Sequence, residues 1–319
     1  FFEVESRVGV GSSVAMGFLT FAGYTLVGAG PPAAVFVEFI VSSPFVLLVS
    51  LASAFFWVTV WLAIGVGWQA VLWFMGGYKQ TSTDDLPAHL SIWPMIAIFM
   101  AEEWLRLPVH YHSRKALAAL DRRAQQLNHP KLTQLEKLRV FLGIGVGQGI
   151  AHMCLLFLNT VVASHQGTYY SQTCPQMPYF LVAAVSASAG FVVLSVAMVV
   201  TTVAFDDSFE PGHVLTQPLA ASENDAGGVK SARAFFGWLS SLVGRLVAHY
   251  FSGPRSRRRW LPLVMHLAFA LSSVVNLAPG GCVVSPVFLL LVVATSLAIA
   301  LKCAVAWSEQ SRASYDHLR

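Results

Sequence analysis

Charge is what this 319-residue chain has least of. Lys and Arg number 20 and Asp and Glu 16, so charged side chains make up 11% of it against 55% apolar. A soluble domain carries roughly a quarter charged residues. That scarcity excludes a soluble enzyme and an acidic disordered protein. The net charge of +4 sits in a few loops, which does not make a nucleic-acid footprint. There are only four cysteines and nothing with zinc-site spacing or a nucleotide-binding glycine fingerprint, so neither metal nor cofactor is expected. Strand-like alternation of apolar and polar residues is also missing, which removes a membrane β-barrel.

Long apolar runs are what the chain has in their place. Each bilayer crossing by a helix needs about 20 mostly apolar residues, because only a helix satisfies its own backbone in hydrocarbon. Seven stretches qualify: Met16–Val41, Phe45–Phe74, Leu90–Tyr111, Phe141–Ala163, Tyr179–Phe205, Trp260–Leu277 and Val284–Trp307. The expected fold is therefore all-α, a polytopic membrane protein with seven transmembrane helices. Arg114, Lys115, Arg122, Arg123, Lys131 and Lys137 follow the third stretch, and Lys230, Arg233, Arg245, Arg255, Arg257, Arg258 and Arg259 follow the fifth. These segments belong in the cytoplasm by the positive-inside rule. The segments after the fourth and sixth stretches hold no Lys or Arg, and that after the second has only Lys79 beside Asp84 and Asp85. An N-terminus on the lumenal or extracellular side and a cytoplasmic C-terminus follow.

The chain divides accordingly. Residues 1–15 form an N-terminal extension, too polar and glycine-rich for the apolar core of a signal peptide. Residues 16–206 hold spans one to five, with a charged helical connector over 112–140. Residues 207–259 are a cytoplasmic insertion whose first part, rich in Asp, Glu, Ser and Gly, reads as disordered. Within it Phe235, Trp238, Leu239, Leu242, Val243, Leu246 and Tyr250 recur at helical steps. That pattern fits either an amphipathic helix over 234–251 lying in the membrane interface or a helix packed on the protein's own spans. Spans six and seven occupy 260–308, and 309–319 is a cytoplasmic tail.

Charged residues at the bilayer centre cost at least about 2.5–3.5 kcal/mol each, so those present need a reason. Glu102 and Glu103 lie four and three residues before Arg106, close enough along a helix for either carboxylate to meet the guanidinium. Pro108 is expected to bend that helix. The group reads as an internal ion pair, as a polar pocket shared with Asn159, His266 and Asn276, or as a general base. His152 reads as a hydrogen-bonded core residue. Gly143, Gly147 and Ala151 make one small-residue ladder on the fourth span and Gly145 and Gly149 a second. Such ladders let helix backbones approach closely, whether the neighbour is a partner's helix or one of the chain's own. Cys154 and Cys303 lie in spans as small fillers, whereas Cys174 and Cys282 fall in two loops on one oxidising face and are expected to form a disulfide.

Several of these stretches, in order, resemble the anterior-pharynx-defective family, the seven-span scaffold subunit of γ-secretase. They are MGFLTFAGYTLVGAGP from Met16 to Pro31, Pro44 followed by Ser53 to Trp57, and Glu103-x-x-Arg106 leading into Arg114-Lys115-Ala116. The glycine ladder with Asn159, Pro178-Tyr179-Phe180-Leu181, Phe205-Asp206, and HLAFALSSVVN from His266 to Asn276 complete the set. The resemblance covers most of residues 16–308. It implies a non-catalytic subunit that assembles with presenilin, nicastrin and the presenilin enhancer subunit in the endoplasmic reticulum. The complex then moves to Golgi, endosome and plasma membrane, and serves intramembrane proteolysis of single-pass proteins, Notch signalling included. In that reading the glycine face seats a partner helix, and the polar residues form an interior that receives a segment of presenilin. Three departures stand out: no histidine between Gly190 and Phe205, an enlarged 207–254 connector, and a short run from Arg259 to His266. The same scaffold is thought to be distantly related to type II CAAX prenyl proteases. An autonomous protease using Glu102, Glu103 and His266 is therefore one alternative, and a transporter or receptor is another.

Overall fold

A computed structural model describes residues 14–76, 88–158, 170–171, 174–206, 241, 245, 258–275 and 281–316. The expectations for Asn159, for Asn276 and for nearly all of the 207–259 insertion, most of its 234–251 helix included, lie outside these residues.

Helix α1, Val14–Val35, contains Pro31 and Pro32. Proline donates no backbone hydrogen bond and crowds the preceding turn. Just past the pair the chain widens into a π-helical turn, Phe36–Val41. Pro44 opens α2, Pro44–Gly76, where a missing N–H costs nothing. Helix α3 runs unbroken over Ala88–Gln126, about 58 Å at 1.5 Å per residue. It therefore passes Pro108 without interruption, and the third span and the first half of the 112–140 connector form one rod. What ends it is Asn128, at φ 55°. Around that left-handed residue the His129 N–H reaches the Ala124 carbonyl at 2.8 Å and the Asn128 N–H reaches Gln125 at 3.1 Å, the paired bonds of a Schellman cap. Helix α4, Gln134–Met153, then starts from a capping box in which Thr133 and Glu136 satisfy each other's backbone N–H groups. It continues as a π-helical turn, Cys154–Leu158.

A short antiparallel hairpin follows, β1 Tyr170–Ser171 against β2 Cys174–Pro178, with Tyr170 opposite Pro178. It amends the all-α expectation by a small element in a connection. Helices α5 (Tyr179–Ala204), α6 (Leu261–Val274) and α7 (Gly281–Asp316) complete the described chain. The last of these runs past residue 308, so most of the expected tail is helix.

Among the described residues, helix occupies each of the seven apolar stretches that were read. Four contain segments long and apolar enough to cross a membrane: Leu19–Val41, Pro44–Val71, Tyr179–Ala204 and Gly281–Trp307. Leucines and aromatics on these helices, among them Leu26, Phe55, Leu62, Leu290 and Leu301, are exposed, as lipid-facing side chains are in a polytopic membrane protein. Helix α5 is the exception, being apolar almost all round and buried along most of its length. Its Phe191 and Met198 meet Ile40 of the π-helical turn after α1, Val46 of α2, and Phe141 and Ile144 of α4 on one side. Val196, Val200 and Val203 meet Leu261, Met265, Ile299 and Trp307 of α6 and α7 on the other.

Candidate functional site

The carboxylates of Glu102 and Glu103 sit where α2, α3, α4 and α6 converge. Glu102 and Arg106 are each only 1% exposed. Three residues apart, Glu103 and Arg106 pair through Oε1 and Nη1. From α6, His266 places Nδ1 2.6 Å from the same Glu103 oxygen. Its Nε2 lies 3.2 Å from Glu102 Oε2, within ion-pair range but without hydrogen-bond alignment. One imidazole therefore spans two carboxylates. A doubly protonated ring would donate toward both and bring the charges of Glu102, Glu103, Arg106 and His266 to zero. The Trp61 indole N–H of α2 donates to Glu102 Oε1 at 2.9 Å, and His152 Nδ1 of α4 stands 3.8 Å from that oxygen. Aromatic rings wall the cluster: Phe99 lies 4.6 Å from His266 between ring centroids, and Phe269 stacks on His266 at 6.3 Å.

Of the six residues expected to make a polar pocket, Glu102, Glu103, Arg106 and His266 come together; Asn159 and Asn276 lie outside the described residues. Trp61 and His152 are additions. His152 is buried, with its Nδ1 beside Glu102 Oε1 but outside hydrogen-bond geometry. The absent fifth-span histidine also finds its context here. Gly190 of α5 lies against this site, and a Cβ there would meet Phe269 Cζ at 2.8 Å and His152 Nε2 at 3.2 Å. The second imidazole comes from α4, and α5 contributes space. Gln148 Nε2 and Arg106 Nε and Nη2 are likewise buried without hydrogen-bond partners.

Glycines of α4 serve two neighbours within the chain. A Cβ at Gly143 would lie 2.8 Å from Val46 Cγ1, and one at Gly147 would strike the Ser50 carbonyl and come within 2.7 Å of Ser53 Cβ, all on α2. At Gly145 it would strike the Ser195 carbonyl, and at Gly149 it would lie 2.9 Å from the Phe191 carbonyl, both on α5. The Ser53 hydroxyl seals the first contact by donating to the Ile144 carbonyl at 2.7 Å. Ala151 is buried too. Among the described residues, both ladders thus pack against the protein's own helices.

A second polar junction, which the sequence reading missed, closes the far end of the bundle. Asp206, just beyond α5, accepts from the Trp307 indole of α7 at 2.9 Å and lies 3.6 Å from Arg114 of α3. Its backbone carbonyl takes a bond from Arg258, ahead of α6, at 3.0 Å. Asp206 stood out only as the end of a span, and nothing in its spacing pointed to Trp307, 101 residues away. At the opposite end Cys282 is disulfide-bonded, while Cys154 and Cys303 are free thiols. The side chain of Cys174 is outside the described set.

A 27% identical relative, a γ-secretase subunit APH1-like protein of Arabidopsis thaliana, aligns over 184 residues, 56% of this chain and 68% of that protein. A family model described as Aph-1 protein matches residues 19–216, a stretch that contains Glu102, Glu103, Arg106, His152 and all four α4 glycines, although His266 lies beyond it. With well over half of its length inside that match, the chain belongs to the Aph-1 family.

Proposed function

We propose that this protein is a non-catalytic scaffold and assembly subunit of a γ-secretase complex. In this reading it crosses the membrane seven times with its N-terminus lumenal and its C-terminus cytoplasmic. It binds presenilin, nicastrin and the presenilin enhancer subunit in the endoplasmic reticulum and accompanies them to Golgi, endosome and plasma membrane. There it supports presenilin's cleavage of single-pass proteins, Notch-type receptors among them. The observation that carries the reading is membership of the Aph-1 family, one relative in which is itself a γ-secretase subunit.

Site geometry supports a structural rather than a reactive role for the glutamates. Arg106, His266 and Trp61 already engage them, so both carboxylates have partners inside the chain. Because α4 is flanked on both glycine faces, partner helices would bind the exposed apolar faces of α1, α2 or α7 instead. We also assign Cys174 as the disulfide partner of Cys282, since two of the four cysteines are free thiols. Non-reducing peptide mapping that recovers Cys174 as a free thiol would refute that assignment.

The test is affinity purification of the tagged chain from its own cells in mild detergent, with mass spectrometry of stoichiometric partners. Recovery of presenilin and nicastrin is the expected result. A chain that elutes alone, with a proteolytic activity lost in Glu103→Gln, would replace the scaffold reading with the autonomous protease.

A further inference from the structure

Where α3 leaves its apolar stretch, Leu107, His110, Tyr111, Arg114 and Lys115 follow one another at helical steps down a single stripe. Together with Phe205, which caps α5, and Arg259, just ahead of α6, they line a pocket of about 510 Å³. Its composition is graded. Leu107 and Tyr111, 44% and 55% exposed, give it apolar surface; Arg114, Lys115 and Arg259 supply three cations.

The cations are held in place by the walls. Lys115 Nζ lies 4.4 Å from the centre of the Tyr111 ring, and the Arg259 guanidinium 5.1 Å from that of Phe205. Arg114 donates to the Phe205 carbonyl at 3.0 Å while its side chain stays 46% exposed. An anion entering the pocket would therefore meet donors whose positions are already fixed, so little further ordering is needed on binding. The nearby carboxylate, Asp206, is taken up by Trp307 and Arg114 and does not line the pocket. His110 also lines the pocket; it is 4% exposed and its buried Nε2 has no hydrogen-bond partner.

We infer that this pocket binds the phosphate-bearing headgroup of an anionic phospholipid, with a chain of the lipid lying along Leu107 and Tyr111. Guanidinium and ammonium groups suit a phosphate. A free phosphate would use the cations but leave the apolar surface wet, which favours the lipid as the source. The inference rests on the membrane-spanning reading of α3; with the proposed orientation, the pocket lies at the cytoplasmic leaflet, where anionic lipids are concentrated.

The full chain in nanodiscs of phosphatidylcholine with a minor share of phosphatidylinositol 4-phosphate provides the test, read by native mass spectrometry of retained lipid. Wild-type protein is expected to retain the phosphoinositide in preference to phosphatidylcholine. Lys115→Gln/Arg259→Gln should lower that retention about tenfold or more, while Lys131→Gln, in the α3–α4 turn, should leave it unchanged. A photoactivatable phosphoinositide on the wild-type chain should label the peptide around residues 107–115, a readout that does not depend on any variant folding. Equal retention of phosphatidylcholine, or labelling elsewhere only, would overturn the proposal. Equally tight binding of soluble inositol phosphate would overturn the lipid assignment and make this a phosphate site. Because both leaflets of the disc carry the lipid, failure here is separable from an error in orientation.

Discussion

Glu103 concentrates the energetics of the buried cluster in one oxygen, which faces both the Arg106 guanidinium and His266 Nδ1. Two nitrogens of Arg106 are already without hydrogen-bond partners. Glu103→Gln would remove the anion that its remaining nitrogen contacts, and stranding one member of a buried pair costs about 3–5 kcal/mol. Unfolding of the purified variant in mild detergent should show that loss, and Glu103→Gln/Arg106→Gln should recover part of it. Identical unfolding of wild type and single variant would mean the pair contributes nothing. The sequence made this much legible, because three charges inside an apolar run need an explanation wherever they occur. Trp61 and His152 were not legible: an indole in a run of apolar residues reads as one more lipid-facing aromatic, and only the crossing of α2 and α4 over α3 brings these two side chains to Glu102.

Between elements, backbone approach and turn chemistry decide what holds. Gly147 and Gly65 are both helical, yet a Cβ on the first would collide with the Ser50 carbonyl while one on the second would meet nothing within 4 Å. Gly147→Ala should therefore destabilise the α2–α4 contact by about 1–3 kcal/mol. Gly65→Ala should be neutral or stabilise by up to about 1 kcal/mol through helix propensity. Thermal unfolding of the two variants side by side checks the contrast. The turn joining α3 to α4 invites a pH experiment. Asp121 accepts the Leu132 N–H at 3.0 Å and pairs with Lys137 at 2.6 Å. Burial alone would raise its carboxyl, but the Lys137 ammonium and the Leu132 N–H outweigh that and hold it below the usual aspartate value. A lowered folded-state value means the contact contributes its stability above the ordinary aspartate range and loses it as the pH falls through the folded value. Amides from Leu132 to Lys137, corrected for intrinsic exchange rate, should lose protection worth up to about 1 kcal/mol between neutral pH and acid, and Asp121→Asn should erase the difference. Apolar length announced the seven helices. It could not announce where α3 and α7 end, because outside the lipid a helix continues on caps and propensity without any need to be apolar.

For the molecule as a whole, the two ends of the bundle carry the argument about topology. Phe205 and Asp206 at the end of α5, Arg114 of α3, Arg258 ahead of α6 and Trp307 late in α7 all meet at one end. At the other, Cys282 at the start of α7 packs with Val182 of α5 and Met177 of β2. Helices α3, α5 and α7 therefore run in the same direction and α6 runs against them, the alternation that successive crossings produce. In the orientation proposed from charge, the end that holds Arg114, Lys115, Arg258 and Arg259 would be the cytoplasmic one. Lys and Arg alone suggested a membrane direction, whereas the Asp206 junction that fixes those ends together needed residues far apart in sequence. Glycosylation-acceptor tags placed within residues 77–87 or 163–169 should be modified in the endoplasmic reticulum, and tags at 127–132 or within 207–257 should not. The reverse pattern would invert the molecule, and modification of both tags that flank α3 would remove that helix from the set of crossings and with it the seven-span reading.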